Sequence, residues 1–139
     1  SMVSMAVIMQ HSGMTDAIAR GLAVSFGVLY PVVAPWIGAI GAFMTGSNTN
    51  SNVVFGALQK RTAEILGYTV TIILAAQTAG AALGSVMAPT KVVVGASTAG
   101  LADREGDIMR SLIIYASLLI LIISILTVIG VLVIDVLGN

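Results

Sequence analysis

The chain has 139 residues, of which 58% are hydrophobic and 9% charged, with a formal net charge of zero and a mean hydropathy of +1.05. Water-soluble domains carry about 25% charged residues, so this composition points to a lipid bilayer. Without a basic cluster the chain lacks the surface that nucleic acid requires, and with no cysteine and a single His11 it holds neither disulfide, thiolate metal site nor imidazole cluster.

Residues 21–59, 65–90 and 111–134 contain no Asp, Glu, Lys or Arg, and each is long enough for the roughly 20 apolar residues of a crossing helix. Residues 2–9 are apolar and stop at Gln10-His11-Ser12-Gly13, which reads as the end of a membrane helix with His11 at the interface. The start at Ser1-Met2 has neither the cationic region nor the cleavage site of a signal peptide, and the expectation is a fragment of a larger membrane protein.

A helix is expected over residues 15–26, capped by Thr15, with Asp16 and Arg20 paired at i, i+4. Pro31 and Pro35 predict a turn over residues 30–36, with Tyr30 and Trp36 as interfacial anchors.

Apolar residues 36–44 and 53–58 then flank eight polar or Gly residues, Thr45-Gly46-Ser47-Asn48-Thr49-Asn50-Ser51-Asn52. A straight crossing would put that block in hydrocarbon, where each unsatisfied group costs several kcal/mol. Each arm of about ten residues, rising about 1.5 Å per residue, reaches halfway through a core about 30 Å thick. The prediction is a re-entrant helical hairpin over residues 36–58 with its tip at mid-depth; the plainer alternative is a loop in water.

Residues 60–64 are expected to form a hydrated loop. Residues 65–101 read as a transmembrane helix unwound at Pro89, with Gln77 bonding between helices and small residues from Gly80 to Gly84 allowing close approach. A charged loop over residues 102–110 leads to a terminal spanning helix over residues 111–137, with Asp135 at the water boundary. Lys60 and Arg61 on one loop balance Arg104 and Arg110 on the other, so the positive-inside rule assigns no orientation.

The candidate substrate-binding residues are Ser47, Asn48, Thr49, Asn50 and Asn52 at the hairpin tip, with Thr90 and Lys91 at the helix break. The start of a half-helix presents unpaired N–H groups and the positive end of its dipole, which suits an anion. Lys91 adds a positive charge, its plainer reading being a side chain snorkelling to the interface. These are the parts of a secondary-transporter site for a small anion. Enzymatic chemistry fails on inventory: Ser47 as a nucleophile has no base, since residues 21–59 and 65–102 hold no carboxylate. No catalytic residue, metal or cofactor is expected.

Three stretches carry a family resemblance: HSGMT from His11, GAFMTGSNTNSNVVFGALQ from Gly41 and AAQTAGAALGSVMAPTKVVVGASTAGL from Ala75. The chain resembles the C-terminal region of L-lactate permeases, and TGSNTNSN followed by FGALQ is the most specific part of that likeness. The resemblance implies an all-α integral membrane fold, a single membrane domain over residues 1–139, and uptake of a small monocarboxylate, L-lactate and also glycolate, across a prokaryotic plasma or inner membrane. It implies coupling to protons in preference to sodium.

The family in turn resembles the wider ion-transporter superfamily, in which hairpin tips and unwound helices from two inverted repeats share one site. Ser47-Asn48-Thr49 matches the tip and Ala88-Pro89-Thr90 the unwound stretch. The expected partners are then a carboxylate substrate, the lipid bilayer and the N-terminal repeat of the permease, with a homo-oligomer left open. Two alternatives stand beside this reading: a sodium-coupled carrier of a dicarboxylate or inorganic anion, and a membrane scaffold without transport.

Overall fold

Glycine and polar breaks divide the apolar chain into helices, as the computed structural model shows for residues 1–137. The side chain of Asp135 and residues 138–139 lie outside the described residues, and the expectation for Asp135 with them. The described elements are α1 (Met2–His11), α2 (Met14–Phe26), a 3-10 turn (Gly27–Leu29), α3 (Tyr30–Thr45), α4 (Asn48–Leu66), α5 (Val70–Val86), α6 (Pro89–Thr98) and α7 (Glu105–Leu137). The all-α expectation holds for them.

Several boundaries differ from those expected, each for a local reason. The cap of α2 is Gly13 in the left-handed region at φ 74°, while Thr15 is buried inside the helix. The Asp16–Arg20 pair forms as expected, at 2.7 Å. The turn placed at residues 30–36 occurs earlier, where Gly27 takes φ 43° and ψ −116°. Pro31 falls in the first turn of α3, where its missing N–H would have had no acceptor. Pro35 lies inside the helix and removes one bond of the ladder.

α3 and α4 form an antiparallel helical hairpin with only Gly46 and Ser47 at its tip. Its arms are 16 and 19 residues long rather than about ten. Asn48 to Asn52 are helical because Ser47 caps them, its Oγ accepting from the Asn50 N–H at 3.2 Å. Residues 60–64 continue the helix instead of forming a loop, and α4 ends at Gly67 with φ 74°. Here Lys60 and Glu64 sit one turn apart, while Arg61 reaches Glu64 at 3.5 Å and Asp16 at 2.6 Å. The charged loop is also shorter than expected: α7 begins at Glu105, with Glu105 and Asp107 in a first turn that favours negative charge.

α3 lies directly on α5. A Cβ on Gly80 would overlap the carbonyl of Pro35, one on Gly84 that of Ala39, and one on Gly38 that of Gln77. The helices therefore touch backbone to backbone, as small residues allow in membranes. Beside this contact Tyr30, Ala34, Ala63, Ile73 and Ala76 form a buried cluster, and α7 leans on the same pair, with Ser124 Oγ donating to the Val32 carbonyl at 2.9 Å.

Stretches Met14–Thr45 and Glu105–Ile134 are long and apolar enough to cross a membrane. α5 and α6 are bent by 43° at Met87 and Ala88, which bears out a discontinuous helix at Pro89.

Gly80→Ala should lower the midpoint of thermal unfolding in detergent, since an overpacked core costs about 1–3 kcal/mol. Gly95→Ala, where a Cβ meets nothing within 4 Å, should leave the midpoint unchanged or raise it slightly; equal effects would contradict the backbone contact.

Candidate functional site

The hairpin tip is built from its own turn chemistry. Gly46 ends α3 at φ 69°, and Ser47 is extended at φ −142° before α4 begins. Thr45 Oγ1 donates to the Gly41 carbonyl at 2.8 Å and accepts from the Ser47 N–H at 3.4 Å, so both strands of the turn are held. The first N–H groups of α4, at Asn48 and Thr49, have no acceptor within the helix, as at any helix start. Thr49 is exposed, and Asn48 and Asn50 are half-buried.

Asn52 lies one turn further along. Its Nδ2 donates to Asn48 Oδ1 at 3.1 Å, and its Oδ1 is buried with no hydrogen-bond partner. A buried acceptor in this condition costs about 1–3 kcal/mol. α4 starts at Asn48, so Asn48 and Asn52, one turn apart, share a helix face.

The helix break meets this tip. A Cβ on Gly46 would lie 3.1 Å from Thr90 Oγ1 and 3.9 Å from the Ala88 Cβ. Ala88 caps α6 and Pro89 opens it, so the start of α6 lies against Gly46 in the turn that precedes α4. Met87, at the break, is buried with Ala39, Ala116 and Ile120. Lys91 follows in the first turn of α6, exposed, with its Nζ on Ser85 Oγ at 3.2 Å. The structure therefore joins Thr90 to the tip and ties the Lys91 ammonium to the end of α5.

Beneath the tip runs a buried polar chain, of which the sequence pointed only to Gln77. Tyr30 Oη donates to Gln59 Oε1. Gln59 Nε2 donates to the Ala34 carbonyl at 3.0 Å and to Gln77 Oε1 at 2.8 Å. Gln77 Nε2 donates to Ser51 Oγ at 3.2 Å, and Ser51 Oγ donates to the Gly38 carbonyl at 2.9 Å. Tyr30, Ser51 and Gln59 are 0% exposed and Gln77 1%. Gln77 does bond between helices, as expected. Tyr30 is a core residue rather than an interfacial anchor, because its phenol finds a partner only inside the bundle. A glutamine at each of positions 59 and 77 in apolar surroundings was the signal for this chain.

Apolar helices long enough to cross a bilayer, a bent helix pair and a polar hairpin tip set on the bend define a helical integral membrane protein. The chain belongs to the L-lactate permease family, which matches residues 1–134. It is 34% identical over 127 residues to the L-lactate permease of Bacillus subtilis, covering 91% of this chain and 22% of that protein. Against the glycolate permease GlcA of Escherichia coli K12 the identity is 33% over 125 residues, covering 90% of this chain and 22% of the relative. The L-lactate permease of the same strain is 30% identical, again with 90% and 22% covered. The chain thus spans about a fifth of the length of these relatives. No solved structure matches it.

Gln77→Leu removes one partner from Gln59 and one from Ser51 and should destabilise the fold by about 1–3 kcal/mol per group left unpaired. Thermal unfolding of the purified protein reads this out. A neutral result would mean that the polar chain is not closed in the folded protein.

Proposed function

We propose that this chain supplies half of the substrate site of a secondary transporter, which carries a small monocarboxylate such as L-lactate or glycolate across a prokaryotic plasma membrane by proton symport. The observation that carries this reading is the contact between Gly46 at the tip and Thr90 at the break. It sets the start of α6 against the turn from which α4 begins, and the N–H groups and dipole ends of such helix starts favour a carboxylate without a full counter-charge. Ser47, Asn48, Thr49, Asn50 and Asn52 then supply polar contacts from the tip, and Thr90 and Lys91 from the break. The names of the relatives, lactate and glycolate permeases, support the substrate class.

In this reading α3 and α4 are a re-entrant hairpin. Lys60, Arg61 and Glu64 need water, so the part of α4 within hydrocarbon is residues 48–59, about 18 Å long. That length carries the tip past mid-depth of a core about 30 Å thick. The rest of the permease supplies the second, inverted repeat, as in transporters whose sites lie between two such halves. The 139 residues alone are then not expected to transport.

One observation favours a second coupling ion. The unpartnered Oδ1 of Asn52 is a neutral oxygen of the kind that ligates sodium, whereas residues 21–59 contain no carboxylate to carry a proton.

In proteoliposomes of the complete permease, Asn48→Ala should abolish uptake of radiolabelled L-lactate while the protein stays in the membrane at wild-type level. Retained uptake would refute the site. Uptake that follows an inward proton gradient and ignores sodium supports proton symport; the reverse dependence supports the second reading.

A further inference from the structure

We infer that the face of α4 from Lys60 to Asn52 is the path by which a small carboxylate reaches the hairpin tip, with Lys60 as the cation at its entrance. This rests on the transport reading above and adds a route to the site.

Two adjoining cavities, of about 310 Å³ and 460 Å³, share Gln10, Ala57 and Lys60 and so form one groove. Its outer part is walled by Asp16, Arg61 and Glu64, and its inner part by Gly56, Thr78 and Asn52. Asn52, Gly56, Lys60 and Glu64 recur every four residues and therefore share one face of α4. From Lys60 to Asn48 is about 18 Å along the helix, and the groove ends at Asn52, whose amide is bonded to Asn48 at the tip.

Packing does not explain Gly56, nor does it explain Gly21 or Gly95; Gly56 differs from those two in lining the groove. A Cβ on it would meet nothing within 4 Å, unlike Gly38, Gly80 and Gly84, and its φ is not positive. An interior helical glycine costs about 1 kcal/mol relative to alanine, and here no turn or helix contact offsets it. What the missing side chain does is lower the groove floor between the entrance and Asn52, so that a ligand passes against bare backbone.

The charges at the entrance fit an anion. Asp16 is held by Arg20 at 2.7 Å and by Arg61 at 2.6 Å. Glu64 receives Arg61 at 3.5 Å, and Lys60 only at 3.9 Å. Lys60 and Arg61 line the entrance with Asp16 and Glu64, Arg20 adds a third cation against Asp16 from outside the groove, and Lys60 is both loosely paired and exposed. A positive entrance to a low-dielectric groove concentrates anions and speeds their entry. Further in, Gln10 and Thr78 offer polar groups, and Leu74 offers an apolar surface to the carbon chain.

The test uses the complete permease, in a background without other cysteines, reconstituted in proteoliposomes. Gly56→Cys should react with an anionic methanethiosulfonate reagent, and saturating L-lactate should slow that reaction severalfold. Lys60→Gln should raise the KM for L-lactate about five- to tenfold at low salt, with little change in maximal rate and a smaller effect at high salt. An unreactive thiol in a Gly56→Cys transporter that remains active would mean that another helix covers this face, and would overturn the path. So would labelling that L-lactate does not slow, or an unchanged KM in Lys60→Gln. If Asn48→Ala loses uptake while both groove variants behave like the parent, the path is wrong and the tip site stands; if Asn48→Ala transports normally, the site itself is wrong.

Discussion

The closeness of α3 to α5 is the constraint on which the rest of the structure depends. Within hydrocarbon there is no water to satisfy a stray polar group, and apolar side chains gain little by leaving lipid for protein. Helix association must then come from contact at short range. Glycines at 38, 80 and 84 bring backbone against backbone, and at that separation Gln77 can reach both Gln59 and Ser51. Steric fit and hydrogen bonding thus reinforce one another: the small residues make the polar chain possible, and the chain penalises any slip of one helix along the other.

That lock fixes the register between the hairpin and the broken helix. Ser51 and Gln59 belong to the second arm and Gln77 to the helix before the break, so the tip and the bend are held by the same bonds. Gly46 then falls against Thr90, which seats the start of α6 on the turn between the arms of the hairpin. Met87, buried against Ala116 and Ile120 of α7, closes the outer side of the bend.

One cluster of charged residues lies at the base of the hairpin. Asp16, Arg20, Lys60, Arg61 and Glu64 gather where α2 meets the base of α4. Exposed pairs of this kind contribute little to stability. Their position matters more: they tie α2 to the base of α4, while residues 45–52 at the tip carry no charge of their own.

Much of this was written in the local sequence. The segregation of charge, the polar block at residues 45–52, the break at Pro89 and the small residues between Gly80 and Gly84 announced a helical membrane protein with a hairpin and a discontinuous helix, because lipid forbids unsatisfied backbone whatever the neighbours are. Local pattern also misled where two outcomes cost nearly the same. Pro31 and Pro35 read as a turn, yet Pro31 is tolerated in a first helical turn and Pro35 costs α3 only one bond of its ladder, and the charges of residues 60–64 read as a loop yet pair along a helix. What only the tertiary structure decided was which residues meet: Tyr30 with Gln59, Gln77 with Ser51, Gly46 with Thr90. A side chain's partner across helices depends on their register and separation, and these are set by the shape of whole facing surfaces, which no single stretch of sequence contains.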